Sequence, residues 1–92
     1  MRVDWSAAAV ADLKAIAEWI EQDRGLDTAN RITRAIYNAV QELRTMPYRG
    51  RYGRLGDTRE LVIPQLPYII VYHVVGERLL ILDVLHAAQR WP

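Results

Sequence analysis

Two apolar runs meet at Gly76-Glu77, and that meeting restricts what this 92-residue chain can become. Before it stands Tyr68-Ile69-Ile70-Val71-Tyr72-His73-Val74-Val75; after it, Arg78-Leu79-Leu80-Ile81-Leu82-Asp83-Val84-Leu85-His86. Both runs are rich in residues that favour strands. A Gly-X pair between such runs is the pattern of a two-residue type II′ turn, because glycine takes the required positive φ at little cost. Pairing Val75 with Arg78 and stepping outward predicts one face made of Tyr68, Ile70, Tyr72, Val74, Leu79, Ile81, Asp83 and Leu85. The other then carries Ile69, Val71, His73, Val75, Leu80, Leu82, Val84 and His86. Neither face is polar, so both need cover, and an apolar face left open would mark a partner site.

The rest of the chain supplies cover for one face. Arg2–Trp5 alternates and reads as a short strand, and Ser6 is a natural N-cap. Val10, Leu13, Ile16, Ala17 and Ile20 predict a helix from Ala7 to about Asp23, and Trp19 is expected to pack at the helix–sheet edge. Gly25 ends that helix, and Asp27 is expected to cap a second one. The second helix carries the stripe Ala29, Ile32, Ile36, Ala39, Val40 and Leu43, with Pro47 just past its end. So short a connection makes the helices an antiparallel hairpin. Residues 48–57 read as a loop, Arg59–Ile63 as a strand, and Pro64–Pro67 as a turn. The expected fold is α+β: a single domain spanning residues 1–92, ordered β-α-α-β-β-β, with the helical hairpin on an antiparallel sheet.

Composition removes several chemistries. With no cysteine there is no disulfide, thiol nucleophile or cysteine-based zinc site. No metal-ligand spacing, phosphate loop or dinucleotide fingerprint is present, so no metal and no cofactor is expected. The longest uncharged run, from Leu61 to Gly76, contains two prolines and predicts no membrane span. The N-terminus lacks the apolar core of a signal peptide, so the expected location is cytoplasmic. Net charge is +1, but it is uneven. Arg44, Arg49, Arg51, Arg54 and Arg59 crowd residues 44–59 against Asp57 alone. Arginine favours planar contacts with carboxylate or phosphate, and Tyr48 and Tyr52, set among these arginines, could stack on bases.

Several stretches, in their order and spacing, resemble the RelE/ParE superfamily of bacterial type II toxin–antitoxin toxins. They are Trp5-Ser6, Asp12-Leu13, Thr58-Arg59-Glu60-Leu61, Pro67-Tyr68-Ile69-Ile70-Val71-Tyr72, Ile81-Leu82-Asp83-Val84-Leu85-His86 and Trp91-Pro92. The resemblance covers nearly the whole chain. It implies the fold derived above, a growth-inhibiting toxin of the plasmid-stabilization kind, and a cognate antitoxin that wraps it. It leaves two targets open: DNA gyrase, inhibited by ParE-like members, or ribosome-bound mRNA, cut by RelE-like endoribonucleases.

If this chain is an enzyme, it is a metal-independent endoribonuclease. Such cleavage needs a base, an acid and cations around the phosphorane. Arg59 as phosphate clamp and His86 as base or acid are the candidates. Arg49, Arg51, Arg54 and Arg90 are the candidate contacts to nucleic acid or another target. Tyr68, Tyr72 and Asp83 are the candidate antitoxin contacts. The single lysine and the modest charge incline the reading toward the gyrase inhibitor.

Overall fold

The computed structural model describes residues 1–89. The elements are β1 (Arg2–Trp5), α1 (Ala7–Arg24), α2 (Leu26–Glu42), β2 (Arg51–Tyr52), β3 (Thr58–Val62), β4 (Tyr68–Val75) and β5 (Arg78–His86). Two helices pack on one face of a five-stranded sheet ordered β1-β5-β4-β3-β2. The α+β class therefore holds, with two amendments. The sheet is mixed, because β1 runs parallel to β5. The expected loop contains a two-residue strand, β2, paired with β3 at the sheet edge.

Ser6 caps α1 as its residue type implies. Its Oγ accepts from the Ala9 amide at 3.0 Å and donates to the Leu82 carbonyl at 2.9 Å. Gly25, with φ 92°, ends α1 by donating its amide to Glu21, and it opens α2 as well. Asp27 is therefore not the cap that was expected. It lies in the first turn of α2, where its charge suits the positive end of the helix dipole. The α2 stripe is as predicted: Ala29, Ile36, Val40 and Leu43 are buried, and Ile32 and Ala39 pack against them. The α1 stripe holds for Leu13, Ile16, Ala17 and Ile20 and departs at its first turn, where Ala9 replaces Val10. Ala9 and Ile20 are buried, while Val10 is exposed and Trp19 stands 61% exposed instead of packing at the sheet.

The hairpin turns at Gly76, φ 58°, with Val75 opposite Arg78. The strict alternation predicted beyond it fails at one place. Tyr72 pairs with Ile81, but Val71 pairs with Asp83, so Leu82 is an extra residue on β5. Such a bulge exchanges the faces of everything beyond it. Val84 and His86 thus join Tyr68, Ile70 and Tyr72 under the helices, and Asp83 and Leu85 turn to the opposite face with Val71 and Ile69. The bulge lies where β1 stops covering β5. Past Trp5↔Ile81, the first turns of α1 take over the edge of β5, with Ser6 on the Leu82 carbonyl and Asp12 Oδ2 accepting from the Val84 amide at 3.0 Å.

The face away from the helices is not the open apolar surface expected of it. Val71, Ile69 and Leu85 are buried there, together with the carboxylate of Glu60. The exposed large apolar side chains on that face are Val62 and Val75, near the strand ends.

Candidate functional site

The fold gathers the candidate residues at two separate ends of the sheet. Arg59 lies opposite Tyr72 and His86 lies opposite Tyr68. The two are thus about 13 Å apart along β4 and, across two strand spacings, about 10 Å apart laterally.

At the first end, side chains of β3 and β4 hold down the segment that follows α2. The Tyr72 hydroxyl donates to the Pro47 carbonyl at 2.8 Å and accepts from the Gly50 amide at 2.9 Å. Burial raises the Tyr72 pKa, against the opposing pull of the Gly50 amide and the Arg59 charge, so the hydroxyl keeps its proton to donate. Arg59 Nη1 donates to the carbonyls of Tyr48 at 3.2 Å and Gly50 at 2.9 Å. Its guanidinium lies between two rings, 5.0 Å from the centroid of Tyr48 and 4.6 Å from that of Tyr52. Both distances are within cation–π range.

On the opposite sheet face, Glu60 is only 2% exposed. It accepts from Arg51 Nη2 at 3.0 Å and from the Arg54 amide at 3.1 Å, and the Arg54 Nε stands 3.8 Å away. Burial pushes this carboxyl up, but the Arg54 amide, the Arg51 hydrogen bond and the two positive charges together hold it below its ordinary value. Arg49 pairs with Glu42 at 2.9 Å on the surface. The fold therefore gathers Arg49, Arg51, Arg54 and Arg59 around one loop. Arg90 lies outside the described residues.

At the second end, His86 meets Tyr68 edge to face, with ring centroids 5.7 Å apart. Its Nδ1 accepts from the Ala88 amide at 3.1 Å, which places the proton of a neutral imidazole on Nε2. The two rings and Ala15, Ile16 and Trp19 line an almost wholly apolar groove of about 290 Å³. A second hollow of about 370 Å³ carries the same surface on to Ile32, Leu66 and Pro67, with Arg24 at its margin. Tyr68 is largely buried but borders both hollows, whereas Tyr72 is fully buried beneath the helices. The common face expected for Tyr68, Tyr72 and Asp83 is not formed, because the bulge turns Asp83 away. Asp83 instead meets Asp12. Its pKa is raised to about 6, first by burial and then by the hydrogen bond and negative charge of Asp12.

Three contributors were not given their place from sequence. Trp19 was expected to be covered, Glu60 was not expected to be buried, and Asp12 was not placed at the sheet. An acidic residue amid an apolar strand, and one directly after the alanine-rich stretch 7–11, were the available signals. Among the described residues no group of carboxylates or imidazoles forms a metal site, and no helix is long and apolar enough to cross a membrane.

The helical hairpin on a five-stranded mixed sheet has a match among solved toxin–antitoxin structures. A chain of the solved chromosomal ParDE toxin–antitoxin system from P. aeruginosa superposes with a TM-score of 0.86 at 25% identity, over 94% of this chain and 95% of that one. The family model for the ParE toxin of the type II toxin–antitoxin system parDE matches residues 3–91. The chain belongs to this ParE toxin family. Relatives include the Y4kP protein of Sinorhizobium fredii, whose name describes it as a toxin, at 42% identity over 99% of this chain and 93% of the relative. Toxin RelE2 of Caulobacter vibrioides is 36% identical over 96% of this chain and 97% of its own length.

Proposed function

We propose that this chain is a ParE-like toxin that arrests growth by binding DNA gyrase in the cytoplasm, and that it does so without catalysing a reaction. The observation that carries this reading is the separation of Arg59 from His86. A metal-free ribonuclease needs its cation and its acid or base within hydrogen-bond reach of one phosphate. Here the Arg59 guanidinium is engaged by two carbonyls and two rings, and His86 is turned toward an apolar groove with one ring nitrogen already bonded. The loop carrying Arg49, Arg51 and Arg54 is then the target-facing element, and Arg90 is a further candidate contact.

The cognate antitoxin covers the Trp19–Tyr68–His86 groove in this reading. Exposed aromatic side chains beside an apolar hollow are the expected anchor of a protein interface. Of the three candidate antitoxin contacts, Tyr68 is the one that borders this groove.

A second reading, a RelE-like endoribonuclease acting on ribosome-bound mRNA, draws support from the identity to a protein named toxin RelE2. One experiment separates the two. The toxin is induced alone, mRNA 5′ ends are mapped, and supercoiling is assayed in the same cells. The gyrase reading expects lost supercoiling with messages intact, and full toxicity in a correctly folded His86→Ala variant. New 5′ ends in translated messages within minutes, with supercoiling preserved and with toxicity lost in His86→Ala, would replace it.

A further inference from the structure

The stack at the loop end has a property that inhibition of gyrase by protein contact does not require. Tyr48 and Tyr52 grip the Arg59 guanidinium between them, yet they remain 63% and 82% exposed. Their orientation is restrained by the arginine while much of each side chain stays in water. A flat ligand stacking there would therefore cost little side-chain entropy.

Beside the stack lies a pocket of about 280 Å³, lined by both tyrosines, Arg59, Asp57 and His73 among others. It is at the small end of ligand sites, a size suited to one flat ring system. Asp57 and His73 offer acceptor and donor groups to the edge of such a ring.

The surroundings are cationic in a specific way. From Arg44 to Glu60 the chain carries five arginines against two carboxylates. Glu60 is shared by Arg51 and Arg54, and the partner of Arg49 is the solvent-exposed Glu42. An exposed ion pair is weak and exchanges readily for a phosphate. Both described hydrogen bonds of Arg59 use Nη1 alone.

We propose that the Tyr48–Arg59–Tyr52 stack is a binding site for single-stranded nucleic acid. An unpaired base stacks on an exposed tyrosine at the pocket, and Arg49, whose partner Glu42 is exposed, meets the adjoining phosphate. A duplex hides its base faces and cannot engage the rings in this way. The required chemistry, a free base on a phosphodiester strand, is common to DNA and RNA.

The test uses the purified toxin and fluorescence anisotropy of labelled dT12, rU12 and a 12-base-pair duplex. Both single strands are expected to bind more tightly than the duplex, and the tighter of the two identifies the source. Tyr52→Ala and Tyr48→Ala should each weaken single-strand binding about tenfold. Tyr52→Phe, which keeps the ring, should retain it, and circular dichroism should report an intact fold in all three variants. Absence of binding would overturn the proposal. So would equal affinity for duplex and single strands that both tyrosine-to-alanine variants preserve, since charge alone would then be responsible. Loss of gyrase inhibition in Tyr52→Ala with oligonucleotide affinity unchanged would make the stack a protein epitope and would equally overturn it. The gyrase reading is scored separately, by supercoiling assay, and does not depend on this result.

Discussion

At the Arg59 end of the sheet, an irregular segment hangs from polar side chains. The Tyr72 hydroxyl, the Arg59 guanidinium and the Glu60 carboxylate each bond to backbone of residues 47–54. At the His86 end the surface consists of rings and aliphatic side chains, with Trp19 and the Tyr68–His86 pair around a shallow apolar hollow. The first end is a loop tied down by hydrogen bonds, most of them buried or part-buried, which are directional and costly to leave unmade. The second is an adaptable greasy surface, suited to burial under a partner. Under the function proposed above, the loop end faces the target and the apolar end meets the antitoxin, two tasks that call for differently built surfaces.

The contrast can be broken most severely at Gly50. A β-carbon there would stand 2.6 Å from the Tyr72 hydroxyl and 3.0 Å from the Glu60 carbonyl. Gly50→Ala should cost about 3 kcal/mol by combining overpacking with the loss of a buried hydrogen bond. Urea denaturation measures this. Gly56→Ala, with nothing within 4 Å of the new carbon, is the control and should leave the midpoint nearly unchanged.

Next in size is Tyr72→Phe, which removes only the hydroxyl. It strands the Gly50 amide and the Pro47 carbonyl and should cost about 2 kcal/mol. Hydrogen exchange should become faster at the Gly50 amide, while the amides of Ile16 and Trp19 stay as protected as before. Comparable loss of protection at both ends would show that they are one cooperative unit.

The smallest effect is expected at Asp83, on the strand of His86 but turned to the opposite face. Its folded pKa of about 6 is above the ordinary 3.8. Its contribution is therefore fully present below about pH 4 and is lost as pH rises through 6. Asp83→Asn should raise stability at pH 7 by about 1 kcal/mol, a figure discounted for solvent screening. It should also flatten the decline in stability between pH 4 and 6. Thermal melts of both proteins across that range measure it. Glu60 has the opposite sign. Held below its ordinary 4.5, it supplies stability above that pH and loses it as the solution becomes more acid.

What could be read from the sequence was what is local. The α2 stripe, the Ser6 cap and the Gly76 turn each depend on residues within a few positions of one another, and each was found as expected. What could not be read was set by distant chain segments. The parallel pairing of β1 with β5 joins Arg2 to Arg78, and the bulge is held by Ser6 across 76 positions of sequence. Parity counting assumes an uninterrupted ladder, so it sent His86 and Asp83 to each other's faces. The candidate site shows the same division. The cluster of arginines was visible in composition, but the clamp of Arg59 between Tyr48 and Tyr52 requires β2, a strand of two residues that propensity does not announce.

The extra residue at Leu82 also matters to anyone who would transplant this strand. On either side of it β5 follows two different reading frames, one set by the hairpin and the other by the start of α1. A designer moving Asp83–His86 onto a regular hairpin would turn His86 outward and Asp83 inward while changing no amino acid. The frame travels only if Ser6 and Asp12 travel with it, so the smallest portable unit is the strand together with the opening turns of the helix.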